Sequence, residues 1–429
     1  MKNNSFHEKA REALKKHLEN ILSSCVMDKG NVNFDRSTDE DLYKYINEAK
    51  KHKKTWMRDI DLYGLLYKQV LDYLVEHIEK IREISGKIKD IIGEKRITDL
   101  CVKIISYLES IPRKYLVFFE LPAVHGLGLK EIKLTDDISF VERVGESDFS
   151  DIKIPTWSLL GGDYTLTLEK GRLYIRISVD GYTDGTVESS AIKKAYSKFK
   201  QVILLSNLSG ILKEGQRDLS LGLLGSVSHQ IFVVNSRDPN IEKYLVYFPQ
   251  TVSNYISKLR LNEDILKPPK FETLLETFEN KEIPTSNDKA KILKKRLRYP
   301  EKLLKTSDND ENTEPIKSAI EWAFDSHAND NDTLAFIQAC IGIEAVIGDD
   351  TKDNITATLA DRCAYLLGDS ISARKKIREN FEKLYDIRSK VVHGRKACLD
   401  DEQRHFLDYA QIMLKRVIGK EISFIGTET

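Results

Sequence analysis

A chain of 429 residues is long enough for about two to four domains, each able to bury its own core. Its 67 basic and 67 acidic residues cancel, so bulk charge gives no general affinity for nucleic acid, and any such contact must come from local patches. Met1 is followed by Lys, Asn, Asn and Ser with no apolar signal core, and no apolar run reaches the roughly 18 residues of a membrane span, so a cytoplasmic protein without a membrane partner is expected.

In chain order, Phe6–Ser24 shows helical spacing through Ala10, Ala13, Leu14, Leu18, Ile21 and Leu22. Further amphipathic stretches at 39–52, 58–92 and 97–111 make the N-terminal region mostly helical. The pattern changes near Pro112. Tyr115–Leu121 is rich in β-branched and aromatic residues, and strand-like alternation follows at Ile138–Val144, Tyr164–Leu168 and Arg172–Val179. Ala191, Ala195, Phe199, Val202 and Ile203 predict a helix over 189–206, and Leu219–Asn235 looks strand-like again. From about Thr251 to Lys305 the chain turns helical, and Lys289–Lys305 is dense in Lys and Arg. This stretch, with Tyr299 for stacking, is read either as an RNA path or as a solvated helix face, the latter favoured, as it is for the shorter run Lys50–Lys54 beside Trp56.

The acidic, polar run Ser307–Glu314 reads as a linker, and Pro315 suits the first turn of a following helix. Five helical segments are then predicted, at 315–327, 332–348, 355–368, 371–393 and 401–418, joined by short loops as in an up-and-down bundle. The second, Asp332–Ile347, is almost wholly apolar and should be central. The fold class expected is α+β and multidomain: a helical region 1–112, a mixed α/β domain 113–250, a basic helical segment with an acidic linker 251–314, and an all-α bundle 315–429.

The cysteines (Cys25, Cys101, Cys340, Cys363 and Cys398) form no CxxC pair, so neither a disulfide framework nor a zinc knuckle is expected. Walker, HExxH and GxSxG patterns are missing from the sequence, which argues against an NTPase, a zincin and an α/β-hydrolase. His125 and His229 lack ligand partners in sequence and read as structural.

The informative residues are charges on an apolar face. On a helical wheel centred on Leu384, the residues Ile377, Phe381, Ile387, Val391 and Val392 fall within about 80°, and Arg388 lies inside that stripe at about 40°. A guanidinium cannot stay unpaired in a core, since its desolvation costs several kcal/mol. It needs a carboxylate, a phosphate or an open interface. His393 points about 140° away on a straight helix, but Gly394 predicts that the helix ends there, which lets the last-turn His approach a phosphate held by Arg388. Glu344, the one carboxylate beyond the first residue of the central helix, could pair with either Arg388 or Arg362. Arg362 borders the stripe of Ile355, Leu359, Cys363 and Leu366, so Glu344–Arg362 is taken as the structural pair, leaving Arg388 for substrate.

The segment Leu384–Gly394, LYDIRSKVVHG, resembles the signature of the Apea-like branch of the HEPN superfamily, in which an Arg, a small polar residue, three further residues and a His follow in order. Arg388, Ser389 and His393 match it. The upstream IGIEAVIG at 341–348 and LADRCAYLLG at 359–368 resemble the branch's preceding helices. The resemblance covers about 110 residues at the C-terminus and implies a helical bundle that dimerises to face two Arg/His motifs across a shared cleft. It implies a metal-independent endoribonuclease, with no cofactor, in which His393 handles protons, Arg388 holds the phosphate and Ser389 orients the pair. Lys390, Arg395 and Lys396 flank the motif as substrate-binding candidates. RNA, with tRNA as one candidate, would be cut to 2′,3′-cyclic phosphate and 5′-hydroxyl ends. The branch is similar to anti-phage abortive-infection factors, so the region before the bundle would sense a phage-derived trigger or restrain the toxin. Gly394, Arg395 and Lys396 stand where nucleotidyltransferase-regulated HEPN toxins carry a Tyr, which argues against that regulation. A catalytically silent module that binds RNA or a nucleotide, or only dimerises, is the alternative.

Overall fold

The alternation of helical and strand periods resolves into a mixed α+β fold in a computed structural model that describes residues 5–34, 38–79, 81–125, 127–128, 130–142, 154–157, 163–166, 168, 171–215, 229–237, 242–266, 286–306, 310–348 and 355–426. The chain divides into two compact units. The first comprises Met1–Tyr115, Val179–Lys194 and Asn235–Asp238; the second comprises Leu116–Ser178, Ala195–Val234 and Pro239–Thr429. These cuts differ from the ranges expected at 112, 250 and 314.

In the first unit, helices α1 (Glu8–Ser24), α2 (Asp39–Lys53), α3 (Asp59–His77), α4 (Ile88–Ile92) and α5 (Glu94–Glu109) surround one core, with a small sheet of β1 (Val26–Asp28), β2 (Asn31–Asn33) and β3 (Ser85–Lys87) in the order β2-β1-β3. The apolar face of α1 buries Ala10, Leu14, Leu18, Ile21 and Leu22 as its spacing requires. The single helix expected over 58–92 is broken. Ile78, which caps α3, turns extended, and β3 pairs antiparallel with β1 through Val26 and Lys87. Gly86, at φ 144°, adopts a backbone that side chains rarely take, so strand pairing overrides the helical period here.

The second unit holds all but a few strand ends of a six-stranded sheet in the order β12-β11-β4-β9-β6-β5. Its strands are β4 (Arg113–His125), β5 (Glu131–Lys133), β6 (Ile138–Glu142), β9 (Arg172–Gly181), β11 (Gln230–Asn235) and β12 (Lys243–Tyr247). A hairpin of β7 (Ile154–Trp157) and β8 (Asp163–Leu166) and a pair of β10 (Leu212–Glu214) with β13 (Leu259–Leu261) complete the strands described. Helix α6 (Ser190–Leu208) covers the predicted 189–206 and buries Ala195, Phe199, Val202 and Ile203, with Phe199 stacked on Phe119 at 4.5 Å. Of the strand-like run Leu219–Asn235, residues 219–228 lie outside the described residues, and the remainder forms β11. Helices α7 (Gln250–Ile256) and α8 (Ser286–Leu304) follow.

Helices α9 (Glu314–Ala328), α10 (Asp332–Ile347), α11 (Ile355–Leu367), α12 (Ile371–Val392) and α13 (His405–Phe424) match the predicted helical segments closely. Central α10 buries Ala335, Phe336, Ala339, Cys340, Gly342, Ile343 and Ile347. A Cβ at Gly342 would meet Leu414 Cδ2 at 2.7 Å and Trp322 Cβ at 3.1 Å, so a larger residue there would have to displace the Leu414 side chain. Helix α13 starts later than expected because Asp400 organises a turn, accepting the Gln403 backbone N–H on Oδ1 at 2.9 Å. It ends later because Ile422, fully buried, continues the stripe of Ile418 past Gly419. The same core takes in Leu204 and Leu205 of α6 and Leu303 of α8. The linker-like composition of 307–314 therefore does not divide cores: Leu303 before it and Ile316 after it pack into one. Among the described residues no helix is long and apolar enough to cross a membrane.

Candidate functional site at the end of helix α12

Ser370 starts α12 by accepting the Ala373 N–H on its hydroxyl at 3.1 Å, satisfying one of the orphan donors of the first turn. Ile377, Phe381, Leu384 and Ile387 are buried. The expected stripe runs out in the last turn, where Val391 is half-buried and Val392 is 48% exposed. Val392 lies at the stripe's edge on the wheel, about 80° from Leu384.

The helix stops as Gly394 predicts. Gly394 sits at φ 68°, its N–H donates to Val391 O at 3.1 Å, and the Arg395 N–H reaches Lys390 O at 2.9 Å. This is a Schellman terminus with His393 as the capping residue. It leaves the His393 side chain exposed at the helix end, with the Arg395 side chain exposed just beyond. Ser389 is half-buried, and its carbonyl accepts the His393 N–H at 3.0 Å.

Arg388 is held by Glu344, not left to solvent. Its Nη2 donates to Glu344 Oε2 at 3.1 Å, and Nε lies 3.1 Å from Oε1 as an ion pair without hydrogen-bond alignment. The two side chains are 21% and 25% exposed, so the pair is largely but not fully desolvated. This corrects the expected Glu344–Arg362 pair. The Arg362 guanidinium instead donates Nη1 to Ile347 O at 2.9 Å, in the last turn of α10 where carbonyls lack helical partners. Tyr385 completes the cluster and was not singled out from sequence. One turn before Arg388, its ring lies 5.4 Å from the guanidinium and 5.6 Å from the Phe381 ring. Burial and then the neighbouring Glu344 carboxylate push the Tyr385 hydroxyl up to about 12. An aromatic three residues before an Arg on one helix was the sequence signal for it.

Among the flanking cations, Lys390 is exposed and pairs with Asp386 at 2.6 Å, and Lys396 binds Asp400 and Gln403. The exposed Lys390 pair contributes little to stability and exchanges readily for another anion, whereas Lys396 is half-buried. The structure thus gathers Arg388, Glu344 and Tyr385 in one cluster and sets His393 and Arg395 at the helix end.

The other candidates separate cleanly. His229 is buried, and desolvation followed by the Arg172 charge pushes it down to about 4. His405, exposed at the start of α13, lies against Phe406 with ring centroids 4.2 Å apart. The side chains of His125 and Tyr299 lie outside the described residues. In the run Lys50–Lys54, Lys53 is not solvated: it is buried and donates Nζ to Ile111 O at 2.7 Å. A further cluster, invisible to spacing because its members are far apart, joins His327, Glu214 and Lys415. His327 Nδ1 and Lys415 Nζ lie 3.3 and 3.6 Å from the same Glu214 oxygen, and the Tyr255 ring stacks on His327 at 5.8 Å. Burial and then the Lys415 and Lys258 charges push His327 down to about 3. Among the described residues no group of three or more His, Cys, Asp or Glu is placed to hold a metal ion. The buried thiols of Cys340 and Cys363 are pushed up by desolvation and are poor nucleophiles. No family model, curated protein or solved structure matches this chain.

Proposed function

We propose that the chain is a metal-independent endoribonuclease of the HEPN type, acting as an anti-phage abortive-infection effector. The observation that carries this reading is the end of α12: a half-buried Arg388 oriented by Glu344, and His393 exposed on the Schellman terminus one turn on. The Nε/Nη2 edge of Arg388 faces Glu344, which leaves the Nη1 corner for a phosphate oxygen. In the proposed reaction the ribose 2′-OH attacks the adjacent phosphorus, Arg388 stabilises the developing charge, and the 5′-oxygen leaves with a proton. One His393 removes the 2′-OH proton and a second protonates the leaving oxygen. A two-fold homodimer through α12 supplies that second histidine, and the exposed Val392 suits an interface there. Lys390, Arg395 and Lys396 hold flanking phosphates, Ser389 orients the pair, and the region before α9 senses a trigger or restrains cleavage.

The Glu344–Arg388 pair itself favours a second reading, in which Arg388 is structural and the bundle only binds RNA or a nucleotide, or dimerises. Incubating the purified protein with total RNA and with tRNA separates the two. Cleavage that survives EDTA, leaves 2′,3′-cyclic phosphate ends and vanishes in both Arg388→Ala and His393→Ala supports the enzyme. Undiminished cleavage by His393→Ala refutes this site.

A further inference from the structure

The basic stretch of α8 turns out to have two chemically opposite faces. Leu293, Leu297 and Leu303 are buried, and Leu293 and Leu297 pack beside Ile132, Leu212 and Leu261. On a wheel centred on Leu293, the exposed residues Lys291, Lys294, Lys295, Arg298 and Lys302 fall within an arc of about 100° on the opposite side. Of the helix's two acidic residues, Glu301 pairs with Lys305, and Asp288 lies 3.8 Å from Lys291 in an exposed pair that exchanges readily for another anion. Lys291 and Lys294 also line a cleft of about 530 Å³ with Lys133 of edge strand β5. Glu131, at the same cleft, is already paired with Arg176 at 2.6 Å.

We propose that this face of α8, with Lys133 at one end, docks the phosphodiester backbone of single-stranded RNA. Lys291 to Lys302 spans about 16 Å along the helix, so the cations form a linear track and not a point site. In a chain whose total charge is zero, such a track selects a polyanion by local field alone. An anionic membrane is the competing occupant of a basic amphipathic helix, but membrane docking needs an apolar face to insert. Here that face is buried in the protein's own core. The inference rests on the ribonuclease reading for its choice of RNA, while its test does not depend on cleavage.

The experiment measures anisotropy of a labelled single-stranded RNA with the full-length His393→Ala protein across a salt series, with and without Lys294→Gln/Lys295→Gln/Arg298→Gln. If the track takes three to five phosphates, affinity falls about 20- to 130-fold between 50 and 200 mM salt, and the triple variant lowers the log–log salt slope by about two. Lys133→Gln/Lys291→Gln, with a melting temperature matching the parent, should lower it by about one more. In the cleaving protein the same substitutions raise KM and leave kcat unchanged. An unchanged salt slope overturns the track, as does the same loss of binding to phosphatidylserine vesicles in place of RNA. RNA binding that follows the track without any cleavage overturns the ribonuclease reading and leaves the track standing.

Discussion

Glu344→Ala tests the observed pairing directly. It strands the Arg388 guanidinium among Leu384, Ile387 and the α10 core and removes the carboxylate beside the Tyr385 hydroxyl. Breaking a fully buried ion pair costs about 3–5 kcal/mol. The Glu344 and Arg388 side chains keep 25% and 21% of their surface in water, and that solvent access reduces the cost to about half. Losing the tyrosine's acceptor adds about 0.5–1 kcal/mol. The expected loss is therefore about 2–3 kcal/mol, or roughly 4–6 °C in the unfolding transition of the second unit. Glu344→Gln, which keeps an acceptor oxygen but not the charge, should cost about half as much. Urea unfolding followed by circular dichroism reads both. A double-mutant cycle assigns the partner: Glu344 with Arg388 should couple by about 1–2 kcal/mol, and Glu344 with Arg362 by less than about 0.5. Coupling to Arg362 with none to Arg388 would refute the pairing and restore the assignment expected from sequence.

Three further outcomes follow from the same structure. His327 and His229 are held near 3 and 4, below the 6.5 of an ordinary histidine, so the folded protein binds fewer protons than the unfolded chain in acid. Stability should be full above about pH 6.5 and fall by about 1.4 kcal/mol per pH unit for each histidine as pH drops towards 4, and His327→Gln should flatten the slope; identical slopes in urea midpoints would contradict the burial argument. Gly394→Ala meets no atom within 4 Å but forces a side chain to φ 68°, so it should cost about 1 kcal/mol in thermal unfolding and, on the proposed reading, lower cleavage by displacing His393. Mixing excess His393→Ala protein with wild type under subunit exchange should reduce cleavage below simple dilution; activity that tracks the wild-type fraction counts against a shared cleft.

Much of the fold is written in local periodicity, and the misses occur where a distant partner decides. The C-terminal helices are legible because Ile, Leu and Ala recur at helical spacing and because Gly394 closes α12 with its own backbone bonds. The 58–92 helix fails because Ser85–Lys87 pairs with Val26–Asp28, nearly sixty residues earlier, a preference that no window around Gly86 contains. The polar run before residue 314 shows a related limit. A polar run marks an exposed segment, but it does not reveal that Leu303 and Ile316 on either side enter the same core.

The site divides in the same way. That Arg388 sits in an apolar stripe is a property of one helix and can be counted from Leu384. Which carboxylate answers it is a property of how α10 meets α11 and α12. Both arginines flank apolar faces, and both were plausible partners for Glu344. In the structure Arg362 donates to the Ile347 carbonyl at the end of α10, and the Glu344 carboxylate one turn earlier goes to Arg388. The consequence for chemistry is specific. A guanidinium fixed by Glu344 gives up rotamer freedom in the folded state and not on binding, so a phosphate meeting its Nη1 corner meets a pre-oriented donor. On the proposed reading Glu344 is then a positioning residue. Glu344→Gln, which keeps the contact but weakens the hold, should raise KM for RNA more than it lowers kcat, while Arg388→Ala abolishes both binding and turnover. A Glu344→Gln protein that cleaves normally with unchanged KM would show that the pair serves stability alone.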